Sequence, residues 1–310
     1  MDQLIQAILR TQAASCVSVS LKREFIVIRR AAIEVGMTRP RFALFAAAFA
    51  ASLSLLSPAE AQVLQNDASD VVKVTMLPGW RDDNGTHFAA LRFALAPGWK
   101  TYWRAPGDGG LPTQLDWSGS SNLRGAGIQW PTPEVFRQNG LRSVGYRGEF
   151  VLPLALQQAS EGPIVIDGHL KFGVCEEICL PVSLDLHMLL PPDQTTPVVE
   201  IAAALNNHPM SSKQAQVRRV ECRVDYRGGR ARVDVEIDMP PLVGQGEAMV
   251  IEAINPDLWI GEPHLSRIGD TLRATAEMAN RSGAPFRLDL EHMRITVITT
   301  QSAVDIQGCH

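Results

Sequence analysis

The sequence predicts an all-β protein made of two β-sandwich units in tandem, the second smaller than the first. Three observations predict it. Apolar residues recur at every second position over short runs that Gly and Pro cut off, the mark of half-buried strands. The 310 residues include 24 Gly and 20 Pro and offer few stretches with helical spacing. Five of the six Trp (Trp80, Trp99, Trp103, Trp117 and Trp130) fall in the first strand-rich region, enough aromatic bulk for a core.

The first unit spans 62–190. Val71 to Met76, Phe88 to Leu95 and Phe150 to Leu156 read as strands. Asp82-Asp83-Asn84-Gly85 reads as a turn, since a calcium loop would need a later Glu at fixed spacing. The Pro-rich stretch Pro191 to Pro197 opens a linker over 191–209, with a short helix from Val198 to Asn206 that Asn207-His208-Pro209 ends. The second unit, 210–310, has strands at Ala215 to Tyr226 and Ala231 to Ile237, hinged at Gly228-Gly229 as a hairpin. Further strands are expected at Ala248 to Ile254, Thr271 to Met278, Phe286 to Leu290 and Thr296 to Thr300.

Residues 37–61 have the three parts of a secretory signal peptide. These are a basic start at Arg39 and Arg41, an apolar run from Phe42 to Leu56, and a small-residue exit at Ala59-Glu60-Ala61. The run is short for a membrane span, which needs about 20 residues. Cleavage is expected after Ala61, with Met37 as the true start and 1–36 as an upstream extension. The exported chain would keep 22 Lys and Arg against 29 Asp and Glu, a net charge of −7. That balance gives no nucleic-acid-binding surface. No Gly-x-Ser-x-Gly, phosphate loop or helix-spaced His pair is present, and no cofactor is implied.

Four cysteines remain after cleavage: Cys175, Cys179, Cys222 and Cys309. Ile164 to Met188 folds best as a hairpin whose loop is Glu176-Glu177-Ile178. Cross-strand partners then have numbers summing to 354. Phe172 faces Val182, Leu170 faces Leu184 and Val174 faces Leu180, while the other face sets Asp167 against His187 and His169 against Asp185. A one-residue slip would turn the apolar set outward, so the register is well specified. It puts Cys175 opposite Cys179, close enough for a disulfide. Spacing alone leaves a redox pair, a structural disulfide and a metal site open. Glu176 and Glu177 oppose thiolate formation by like charge, which suits a disulfide attacked by an external thiol. Cys222 and Cys309, in the first strand and near the end of the second unit, could form a structural disulfide.

Gly98-Trp-Lys-Thr-Tyr-Trp-Arg-Ala-Pro-Gly-Asp108, Gln129-Trp-Pro-Thr-Pro133, Gly145-Tyr146, Val151-Leu-Pro153 and Cys175-x3-Cys179-x-Pro181 together resemble the amino-terminal periplasmic domain of the DsbD family. The ScsB-like branch is the nearest resemblance. It covers about 70–190 well and the second unit loosely. The resemblance implies an immunoglobulin-like sandwich and a periplasmic thiol:disulfide oxidoreductase, with Cys175 and Cys179 as the exchanging pair. It implies a cap loop at Phe136, Gln138, Asn139, Gly140 and Leu141, although the acidic and aromatic residues of the best-known members are missing there. Glu176, Glu177 and Tyr146 would modulate the pair. Full family members continue into a membrane electron-transfer domain and a thioredoxin-like domain, and nothing after Gln62 could span a bilayer. The expected partners are therefore a separate membrane-embedded thiol reductase as donor and periplasmic thioredoxin-like proteins as acceptors, with roles such as cytochrome c biogenesis open. The rival class is a non-enzymatic binding or assembly module, such as a copper-handling one, with Cys175–Cys179 as a staple.

Overall fold

The structure is a computed structural model that describes residues 68–107, 109–138 and 140–309. The extension 1–36, the signal segment 37–61 and Asn139 of the expected cap loop lie outside the described residues. The first sandwich runs through β1 (Val72–Arg81), β2 (Thr86–Leu95), β3 (Lys100–Tyr102), β4 (Gln114–Asp116) and β5 (Leu123–Ile128). It continues through β6 (Glu134–Gln138), β7 (Leu141–Arg147), β8 (Glu149–Gln158), β9 (Ile164–Cys175) and β10 (Cys179–Leu190). One sheet has the order β1-β2-β8-β5; the other has β10-β9-β3-β7-β6, with β4 also on β9. This is an immunoglobulin-like sandwich, and Leu91, Leu154, Leu156, Ile164, Ile166 and Leu170 fill its core. Each such side chain contributes about 1.5–3 kcal/mol by leaving water.

The β9–β10 hairpin has the register that its alternation dictates. Cys175 pairs with Cys179, Val174 with Leu180, Phe172 with Val182 and Ile166 with Met188. On the outer face, His169 Nδ1 lies 2.7 Å from the Asp185 carboxylate and His187 Nδ1 3.2 Å from that of Asp167. The 82–85 turn is closed by Asp82, whose carboxylate accepts the N–H groups of Asn84 and Thr86 at 3.0 and 2.8 Å.

A bulge in β1 between Leu77 and Trp80 shifts the ladder to β2. Gly79 sits there at φ +67°, where a Cβ would meet the Phe88 carbonyl oxygen at 1.7 Å, so only glycine fits. The Pro78 carbonyl is bonded by fully buried His87 through Nε2 at 2.6 Å. The helix α1 (Val199–Asn206) docks on the outer face of this sheet. Its Ile201 is fully buried in a cluster with Trp80 and Ala90, and Glu200 pairs with Arg92. The linker region is thus packed structure.

The second sandwich comprises β11 (Met210–Ser211), β12 (Arg219–Arg227), β13 (Arg230–Asp238), β14 (Ala248–Glu252), β15 (Leu258–Ile260), β16 (His264–Ile268), β17 (Thr271–Asn280), β18 (Arg294–Ile298) and β19 (Ala303–Gln307). Its sheets are β11-β19-β18-β14 and β12-β13-β17-β15, with β16 on β17. Gly228-Gly229 turns the β12–β13 hairpin, with Arg227 opposite Arg230. Two expectations are corrected. Residues 212–216 form a turn, so the strand begins at Arg219. Phe286 to Leu290 is not a strand: Phe286, Leu288 and Leu290 do pack on the core, but the Leu288 N–H donates to the Tyr226 hydroxyl at 3.0 Å. Alternating burial is satisfied there without a ladder.

Cys222 of β12 is bonded to Cys309 beyond β19, which ties the two sheets together across 87 residues. The Cys175–Cys179 bond spans four. On the chain-entropy account, closing the long loop stabilises by about 4.5 kcal/mol and the short one by about 2 kcal/mol. The two bonds suit different tasks.

Among the described residues, both sandwiches belong to one compact unit. The β14–β18 sheet is buried on both sides. Met249, Ile251, Ile295 and Val297 face its own core, whereas Val250 and Ile298 pack with Trp103, Val144 and Tyr146 of the first sandwich. Arg104 stacks over Trp103 at 3.7 Å and donates to both carboxylate oxygens of Glu252 at 3.1 Å.

Burial, with help from the Arg81 charge, lowers the His87 pKa below its usual value of about 6.5 and outweighs the Pro78 hydrogen bond. The folded chain therefore refuses a proton that the unfolded chain accepts. Stability should be full above pH 6.5 and fall as pH drops below it, with a limiting slope of about 1.4 kcal/mol per pH unit. Urea unfolding at a series of pH values checks this. The decline below pH 6.5 should be shallower in His87→Gln than in the parent; equal slopes would contradict it.

Candidate active site at the Cys175–Cys179 hairpin

The disulfide sits where β9 ends and β10 begins, and β3 completes its surroundings. Lys100 pairs with Cys175 and Thr101 with Val174 across the β3–β9 ladder. Residues opposite one another share a face. Lys100, Cys175 and Cys179 therefore face the same way, and so does Tyr102, two residues along β3. The Thr101 hydroxyl donates to the Gly173 carbonyl at 2.8 Å and fixes the two strands where they meet the bond.

The two cysteines differ in burial. Cys175 is 2% exposed, whereas Cys179 is exposed to solvent. The Tyr102 hydroxyl lies 2.6 Å from Cys175 Sγ, 3.4 Å from Cys179 Sγ and 3.2 Å from the Gly109 carbonyl oxygen. Burial raises the Tyr102 pKa, so the phenol keeps its proton at neutral pH and remains a donor. An external nucleophile can reach Cys179. Charge released on Cys175 would find a hydrogen-bond donor already in place, which lowers the cost of the step.

Of the residues expected in a cap loop, Phe136, Gln138, Gly140 and Leu141 lie on the β6–β7 hairpin, in which Arg137 pairs with Arg142 and Gln138 with Leu141. Gln138 reaches the cysteine loop: its Nε2 donates to the Glu176 carbonyl at 2.9 Å, and its Oε1 accepts from Lys100 Nζ at 2.7 Å. Phe136 lies under two cations, with Arg147 4.6 Å and Lys100 5.6 Å from its ring centre. Leu141 is 54% exposed and lies against Gly109. Gly140 turns the hairpin at φ +78°. The side chain placed on the buried sulfur is Tyr102, which sequence reasoning passed over.

Glu176 and Glu177 are exposed in the loop between the cysteines. The Glu176 carboxylate packs over Gly98, where a Cβ would come within 2.2 Å of it. Tyr146 lies elsewhere than expected. It pairs with Thr101, one residue before Tyr102, so strand alternation turns it to the opposite face. There its hydroxyl donates to the Pro131 carbonyl at 2.8 Å and its ring stacks on Phe150 at 4.3 Å. Beside the loop is a groove of about 560 Å³ lined by Trp99, Lys100, Phe136, Gln138, Arg147 and Glu176. Among the described residues, no group of three or more His, Cys, Asp or Glu could hold a metal ion. No helix among them is long and apolar enough to cross a membrane.

Residues 61–191 match the family model described as "Thiol:disulfide interchange protein DsbD, N-terminal". The crystal structure of the N-terminal periplasmic domain of ScsB from Proteus mirabilis superposes with a TM-score of 0.61 at 22% identity. The superposition covers 79% of this chain and 95% of that one, more than residues 61–191 could supply, so it takes in the second sandwich. The likeness is one of fold. No curated protein matches the chain.

If Tyr102 stabilises the departing Cys175 sulfur, Tyr102→Phe should slow reduction of the pair by dithiothreitol about tenfold or more, the worth of a hydrogen bond to a charged group. Stopped-flow kinetics with a parallel melting curve checks this. An unchanged rate in a folded variant would remove Tyr102 from the chemistry.

Proposed function

We propose that this chain, whose residues 61–191 match the DsbD amino-terminal family model, relays electrons by thiol–disulfide exchange through Cys175 and Cys179. One observation carries the reading: the bond joins an exposed cysteine to a buried one whose sulfur has its own hydrogen-bond donor.

The steps follow from that asymmetry. A donor thiolate attacks Cys179 Sγ; the Cys175–Cys179 bond breaks, a mixed disulfide forms at Cys179, and its electron pair leaves on Cys175. Tyr102 donates to that thiolate, which then takes up a proton. The donor's second thiolate attacks its own sulfur in the mixed disulfide and releases Cys179 as a thiolate. The donor is now oxidised, and the chain holds its two electrons with one proton on Cys175; a second proton binds when the Cys179 thiolate is protonated. Delivery runs in reverse: the Cys179 thiolate attacks an oxidised client, and Cys175 resolves the mixed disulfide, which re-forms the bond. Glu176 and Glu177 sit beside the exposed sulfur and disfavour its thiolate, which promotes handing electrons on.

The donor in this reading is a separate membrane-embedded thiol reductase, the acceptors are thioredoxin-like proteins, and the compartment is the periplasm, where such bonds persist. The short-loop entropy supports an exchanging bond over a staple, because the Cys222–Cys309 link already supplies the larger stabilisation.

Single-cysteine variants test the order of attack. Cys175→Ser leaves the exposed Cys179 and should form a stable mixed disulfide with a thioredoxin-like protein that keeps only its attacking cysteine, activated as a nitrothiobenzoate adduct. Cys179→Ser should react far more slowly. Equal trapping by both variants, or by neither, would contradict the relay.

A further inference from the structure

We infer that the second sandwich governs how readily the Cys175–Cys179 bond is reduced, with Glu262 as the positioning residue that clamps the β6–β7 hairpin against the cysteine loop. Glu262 lies between β15 and β16, far along the chain from either cysteine. Arg137 donates to its two carboxylate oxygens at 2.5 and 3.3 Å. Arg142, opposite Arg137 in the hairpin, brings its Nε to 3.9 Å of the same carboxylate. Nη1 of this buried arginine donates to the Met249 carbonyl of β14 at 2.6 Å. Both strands of the hairpin are therefore fastened to the second sandwich.

The clamp reaches the disulfide through the next residue. Gln138 follows Arg137, and its side chain holds the carbonyl of Glu176, the residue after Cys175. Lys100, the cross-strand partner of Cys175, holds the other end of the same amide. The order of contacts is Glu262, Arg137, Gln138, Glu176, Cys175. Burial acts to raise the Glu262 carboxyl pKa. The Arg137 hydrogen bond and the charges of Arg142, Arg137 and His264 overcome it and hold the group ionised below the ordinary carboxylate range.

Holding the Glu176 carbonyl fixes the 176–178 loop, and with it the direction from which a thiol can reach Cys179. A freed loop no longer holds the closed bond in place, so the oxidised form loses stability relative to the reduced one and the bond opens faster. Coupling of this kind is worth about twofold to thirtyfold. Glu262 touches neither sulfur, so it acts through position alone.

The inference rests on the exchange reading only in taking this pair as the working group. Its test is a double-mutant cycle on the full chain, read as the rate of reduction of Cys175–Cys179 by dithiothreitol and as the reduction potential, with melting temperature alongside. Glu262→Gln and Gln138→Ala should each accelerate reduction about threefold or more and shift the potential to a less negative value. The double variant should be no faster than either single, because both break one path. If Glu262→Gln does not fold, Arg137→Gln breaks the same contact from its exposed side. An unchanged rate and potential in either clamp variant, or fully additive effects with Gln138→Ala, would overturn the clamp. A rate that obeys the cycle in a protein that traps no partner would overturn the relay and leave the clamp standing.

Discussion

The register of one hairpin determines the site. β9 and β10 alternate with period two, and their apolar residues lock a single pairing because a slip of one would expose Phe172, Leu170 and Ile166 together. That pairing sets Cys175 against Cys179. It also brings Cys175 beside Lys100 on β3, and hence beneath Tyr102. The chemistry borrows its geometry from core packing: the residues that hold the sulfurs in place are buried ones on the other face of the strand.

The division of labour between the two disulfides follows from loop length. The bond between Cys222 and Cys309 spans most of the second sandwich and joins its sheets. The bond at the hairpin tip adds little that the β9–β10 ladder does not already supply. A protein can open such a bond and keep its fold, which a reversible electron carrier requires. The second sandwich adds a rigid frame, since the β14–β18 sheet is sealed on both faces and its rim holds the hairpin that touches the cysteine loop.

Much of this was legible in the sequence, and the limits are physical. The hairpin register, the 82–85 turn and the Gly228-Gly229 hairpin are local, set by alternation and by residues that tolerate positive φ. Tyr102 was not legible as a site residue. Only the pairing of β3 with β9, more than 70 residues away, reveals which of Thr101 and Tyr102 faces the sulfurs. The same one-residue parity sends Tyr146 to the opposite face. Phe286 to Leu290 misled because alternating burial can be met without a ladder. One signal was present and unread: Ala248-Met249-Val250-Ile251 and Ile295 to Ile298 are continuous buried runs, the pattern of strands covered on both sides. It would have announced the contact between the sandwiches. Arg137, Arg142 and Glu262 carry no such pattern, because the two hairpin arginines meet a carboxylate more than 100 residues away and no periodicity links them.

Exchange of electrons at Cys175–Cys179 with the fold intact would show first in the reduction potential of the pair. Thiol trapping of the purified chain in graded redox buffers should show this pair reduced at a potential less negative than about −300 mV, with Cys222–Cys309 still closed and the fold unchanged. A pair that stays oxidised below about −300 mV until the protein melts would rule out exchange and mark the bond as structural.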